Sequence, residues 1–146
     1  MIALVQRVRG ARVEVEGEEI GAIGAGMLVF VCAEPADDEA LASRLVDKLL
    51  ALRIFADADG RMNLGLRETG GALLLVPQFT LAADTARGHR PSFAGAAPPE
   101  QGRRLYDAVL RIARGRHPRV ESGRFGAHMQ VHLVNDGPVT IPLRMR

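Results

Sequence analysis

Two continuous apolar runs, Met27 to Ala33 and Ala72 to Val76, constrain the fold of this chain more than anything else in it. Each is of strand length and follows a glycine-marked turn, at Gly24 and Gly26 for the first and Gly70-Gly71 for the second. Neither alternates with polar residues, so each reads as a buried strand. Between them Leu41, Leu45, Leu49 and Leu52 recur at helical spacing, with Arg44, Asp47 and Lys48 on the other side. Pro35 and Asp37-Asp38 open that helix. Buried strands on either side of an amphipathic helix point to an α/β arrangement around a mixed sheet.

The rest of the chain fits that frame. Ile2 to Val8 and Ala11 to Glu16 read as a hairpin turning at Arg9-Gly10, the second arm alternating with Val13 and Val15 on one face. Asp57-Ala58-Asp59-Gly60 is a further turn. Ala83 to Pro99 is rich in glycine and proline and long enough to be a functional loop. Pro99 suits the first turn of a second helix, with Leu105, Val109 and Ile112 inward and Arg104, Asp107, Arg111 and Arg114 outward. Strands around Arg119 to Glu121, Met129 to Asn135 and Val139 to Leu143 complete the pattern. The expectation is one domain over residues 1–146, with a mixed sheet and two main helices.

Composition narrows the function classes. At 47% hydrophobic and 25% charged residues, the chain has the balance of a soluble globular protein. No apolar run approaches the roughly 20 residues that span a bilayer, and Arg7 and Arg9 interrupt the start before any signal-peptide core. No membrane role and a cytoplasmic location are expected. Cys32 is the single cysteine and sits in an apolar run, so it reads as a buried structural thiol. Net charge is only +2, yet Lys48 is the sole lysine and seven arginines fall between Arg103 and Arg124. Arginine suits phosphate. Solvated helix faces and a base-composition bias explain the same cluster, so it permits an RNA partner without requiring one. His89, His117, His128 and His132 match no zinc spacing. Along a strand His128 and His132 would sit ~13 Å apart, too far for joint ligation. No metal or cofactor is expected.

Two segments place polar or conformationally special residues inside strand-like runs. In Val76-Pro77-Gln78-Phe79-Thr80-Leu81, proline cannot donate to a sheet ladder, so Pro77 ends the pairing or lies at an edge. The N–H groups of Phe79 and Thr80 would then face open space, where they could hold a developing oxyanion; Thr80 adds a hydroxyl and Gln78 a donor and acceptor. The plainer reading is a strand end whose polar groups face solvent. In Asn135-Asp136-Gly137-Pro138-Val139-Thr140, an X-Pro bond can be locked cis, which would present carbonyl oxygens rigidly in a cleft. The plainer reading there is an ordinary hairpin turn.

With these segments, Met1 to Val8, Arg53-Ile54-Phe55, Met62-Asn63-Leu64, Gln78 to Thr85, Arg90-Pro91-Ser92-Phe93, Leu105-Tyr106, Gly123 to Ala127, Met129-Gln130-Val131 and Leu133 to Thr140 resemble the bacterial D-aminoacyl-tRNA deacylases. The resemblance runs through essentially the whole chain in order. It implies a deacylase fold that dimerises, and a homodimer that hydrolyses the ester joining a D-amino acid, or glycine mischarged on alanine tRNA, to the terminal ribose of tRNA. Gln78, Phe79 and Thr80 are then the catalytic segment, while Pro77, Phe125 and Met129 contact the substrate. Gly137-Pro138 is expected cis and projecting into the partner subunit's site to exclude L side chains, with Arg7 steadying it. Arg87 and Arg90 are candidate contacts to the acceptor stem.

Two positions depart from the family pattern. Pro77 stands where serine is usual, as in a related group that removes L-alanine from a threonine tRNA, and His128 stands where an acidic residue is common. Asn135 to Thr140 and Arg7 follow the D-specific pattern. The rival readings are an editing enzyme for L-alanyl-tRNA and a non-catalytic RNA-binding relative. A generic esterase is disfavoured, because no Gly-x-Ser-x-Gly elbow is present.

Overall fold

The computed structural model describes residues 1–146. Its spine is β1 (Ile2–Val15), a single 14-residue strand. The hairpin turn expected at Arg9-Gly10 is not there: β1 runs through it, and the chain reverses at Glu16-Gly17 into β2 (Glu18–Ile23). A bulge explains the false signal. Between the pairs Val8↔Asn135 and Gly10↔Val134, β1 advances two residues while its partner advances one. The extra residue reverses the in/out alternation, so Val8, Ala11 and Val13 all enter one cluster.

Along one edge β1 pairs first with β3 (Gly26–Cys32) and then with β2, both antiparallel. Its other edge is covered by β8 (Gln130–Arg144) along nearly its whole length: Val5 faces Val29 and Ile141, Val13 faces Gly21 and Val131. Beyond β3 lie β6 (Ala72–Pro77) and β7 (Val120–Ser122), both parallel to the strand before, so the sheet is mixed as expected.

The helix α1 (Glu39–Ala51) starts at Asp38, whose side chain accepts from the Leu41 N–H at 2.8 Å. After it come the small hairpin β4 (Phe55–Ala56) and β5 (Met62–Leu64), and the one-turn α2 (Leu66–Thr69), too short to show a period in the sequence. The long α3 (Pro99–Arg116) begins at its proline, as expected. Helices α1 and α3 cover one face of the sheet: Leu45, Leu49, Leu105 and Val109 pack on Met27, Val29, Leu73 and Leu75. The alternate residues Leu28, Leu74 and Val76 face Val8, Val13 and Ile23 on the other side. That is why these strands read as unbroken apolar runs. The approach is close at Gly26, where a Cβ would lie 1.9 Å from the Ala72 carbonyl oxygen.

Candidate active site at the end of β6

Pro77 closes β6 where its missing N–H costs nothing. Leu73 and Leu75 point their backbone groups toward the β7 side, where Gly123 N–H reaches the Leu75 carbonyl at 2.8 Å. Pro77 points the same way but past the last β7 pair, while Gln78 N–H turns back to the Val31 carbonyl at 2.8 Å. The chain then winds into a 3-10 turn, Phe79–Ala82. The first N–H groups of such a turn have no intrahelical partner, and those of Phe79 and Thr80 bond to nothing within the protein.

Beside this turn opens a mainly apolar cavity of about 700 Å³. Pro77, Gln78 and Phe79 line it from the end of β6 and the turn that follows, and Phe125 and Met129 line it from the loop before β8. Thr80 does not; its hydroxyl accepts a hydrogen bond from Gln78 Nε2. Sequence reasoning missed Cys32, Ala97 and Tyr106, which also line the cavity. The signals were weak, since Cys32 reads as core and Tyr106 sits on the inward face of α3. Phe93, in the loop marked as functional, meets Phe79 edge-on at 5.1 Å.

Tyr106 is buried and donates to the Leu75 carbonyl at 2.9 Å; burial pushes its phenol well above the usual range. Burial likewise pushes the Cys32 thiol up to about 11, with Glu34 adding to the rise; the thiol is buried as expected, and its place on the cavity wall was not foreseen. Glu34 itself is held below the usual carboxylate range. Burial opposes ionisation there, but hydrogen bonds from Arg144 and the Met1 amine outweigh it.

Gly137 and Pro138 lie elsewhere on the surface, exposed, and with Arg7 they line no part of this chain's own cavity. The Gly137-Pro138 bond is cis. No hairpin turn forms: the segment is a bulge within β8, five steps from Asn135 to Thr140 set against the two β1 steps between Val8 and Gln6. Asn135 ties its base, accepting from Val139 N–H at 3.2 Å and donating to Thr140 Oγ1 at 2.8 Å. Arg7 Nε reaches the Asp136 carbonyl at 3.0 Å. Arg87 and Arg90 are exposed in the loop that carries Phe93.

The family model described as D-Tyr-tRNA(Tyr) deacylase matches residues 4–144. The chain belongs to this deacylase family. A D-aminoacyl-tRNA deacylase of Paracidovorax citrulli is 66% identical over 99% of this chain and 94% of its own length. One of Aromatoleum aromaticum is 66% identical over 99% and 95%. Among solved structures, a c-Myc DNA unwinding element binding protein superposes with a TM-score of 0.93 at 40% identity, covering 99% of this chain and 98% of that one. A probable eukaryotic D-amino acid tRNA deacylase, at 20% identity and a TM-score of 0.83 over 97% of both chains, shares the fold. The α/β architecture with a mixed sheet is thus the deacylase fold.

Proposed function

We propose that residues 1–146 act as one deacylase domain that hydrolyses the ester of D-aminoacyl-tRNA, and of glycyl-tRNA, releasing free amino acid and tRNA. The observation that carries this is the pair of unpartnered N–H groups at Phe79 and Thr80 beside a mostly apolar cavity. An aminoacyl ester is already labile, so positioning and oxyanion stabilisation matter more than a strong nucleophile. Water adds to the ester carbonyl, the two N–H groups hold the oxyanion, and the ribose oxygen leaves with a proton as the C–O bond breaks. The ribose hydroxyl beside the ester orients the water. Thr80 is not the nucleophile in this scheme. Its hydroxyl is engaged by Gln78, and no base stands beside it.

A homodimer completes the site. The exposed Gly137-Pro138 bulge reaches the partner's cavity and rejects L side chains, while Arg7 and Asn135 hold it. Arg87 and Arg90 meet the acceptor stem, by phosphate contact and shape rather than base reading. No helix is long and apolar enough to cross a membrane, and the cytoplasm is the compartment proposed. The rival reading, L-alanyl-tRNA editing, is favoured by one observation: Pro77 lines the cavity in place of the usual serine.

Matched D-tyrosyl-, L-tyrosyl-, glycyl- and L-alanyl-tRNA, offered without added metal, test the proposal. Loss of the D-tyrosyl and glycyl esters with L-tyrosyl spared supports it. Preferential attack on L-alanyl-tRNA assigns the chain to the editing group, and no turnover leaves an RNA-binding protein.

A further inference from the structure

The cavity wall nearest α3 is a stack of three side chains. The Tyr106 and Phe125 rings lie 6.2 Å apart, and the Arg103 guanidinium lies over the Phe125 ring at 4.9 Å. Arg103 Nη2 also points to the Phe125 carbonyl at 3.5 Å. Phe125 and Gly102 line the cavity, whereas Arg103 faces the shallow groove outside it. Arg103 therefore stands on the lip. No carboxylate pairs with it, unlike Arg111, which is held by Glu39 at 3.0 Å. A guanidinium that is fixed in orientation but not neutralised is prepared for an oxyanion.

We infer that Arg103 grips one backbone phosphate of the 3′-terminal nucleotides as the aminoacylated end enters the cavity. This rests on the deacylase reading above. The groove beyond is not an RNA track, because Glu39, Glu100 and Asp107 line it alongside Arg103, Arg104 and Arg111 and balance their charge; of these arginines only Arg103 also stacks on the cavity wall, over Phe125. One phosphate at the mouth is the contact. Its place beside Phe125 couples entry of the strand to the wall the terminal nucleoside meets.

The test compares two esters of the same D-amino acid, one on tRNA and one on adenosine, which has no phosphate. For Arg103→Gln the loss of kcat/KM on the tRNA ester should exceed that on the adenosine ester by about tenfold, carried by KM. The slope of log(kcat/KM) against log salt for the tRNA ester should shrink by about 0.7, the increment for one phosphate of a single strand. Arg103→Lys should recover part of both. Equal losses on the two esters, or an unchanged salt slope, would overturn the clamp and leave Arg103 as packing for Phe125. A wild-type protein that cleaves neither ester overturns the deacylase reading itself.

Discussion

Arg7 and Asp136 are joined across the β1–β8 seam: Arg7 Nε donates to the Asp136 carbonyl at 3.0 Å while Nη1 donates to the Ile54 carbonyl at 2.7 Å. One guanidinium thus ties the base of the Gly137-Pro138 bulge to the chain entering β4. Bonds from a charged donor are worth about 1.5–3 kcal/mol each. Arg7→Met should lower the urea midpoint and narrow the ratio of D- to L-tyrosyl-tRNA hydrolysis. A variant of wild-type midpoint and wild-type ratio would show that the bulge holds itself.

Thr80→Ala separates two mechanisms. If backbone N–H groups carry the oxyanion, turnover falls about tenfold or less, from loss of the Gln78 contact. A fall beyond a thousandfold in single-turnover hydrolysis would make the hydroxyl the attacking group.

Tyr106→Phe removes a buried donor to the Leu75 carbonyl, which still accepts from Gly123. With one of its two partners left, the carbonyl is not orphaned, so the cost should be about 1 kcal/mol by chemical denaturation. A cost above about 3 kcal/mol would mean the whole β6–β7 junction moves.

Gly26→Ala should prevent stable folding, since the added carbon would meet the Ala72 backbone at 1.9 Å where the parallel β3–β6 pair begins. Thermal unfolding is the readout, and a melting temperature within a few degrees of wild type contradicts the packing described.

Cys32 makes stability depend on alkaline pH. Its folded value is near 11 against an ordinary thiol near 9.0, so the unfolded chain releases the proton first. The stabilisation is complete below pH 9 and is lost as pH climbs toward 11. Relative to Cys32→Ala, the wild type should lose stability across that window. Parallel pH profiles would place the thiol in solvent.

The sequence made the β3–α1–β6 frame legible because burial on both faces leaves an unbroken apolar run. It hid the bulge at Arg9-Gly10, since one extra residue breaks alternation in the same way a turn does. Gln78 and Phe79, which line the cavity, stood out in the sequence because Pro77 interrupts a strand. Cys32 and Tyr106 were not, because a side chain that walls an apolar cavity has the same character as one that fills a core. Thr80 was expected in the catalytic segment, but its hydroxyl bonds to Gln78 and it lines no part of the cavity.

The pairing of β1 with β8 sets a schedule for the chain as it is made. Ile2 leaves the ribosome more than a hundred residues ahead of its neighbour Arg144. At about 5–20 residues per second, the long edge of β1 stays uncovered for several seconds or more. In that interval the cavity has no Phe125 or Met129 wall, and the bulge at Gly137 does not yet exist. Nascent chains therefore pass through a stage with an open strand edge and an unfinished cavity, and β8 closes that edge as it pairs with β1.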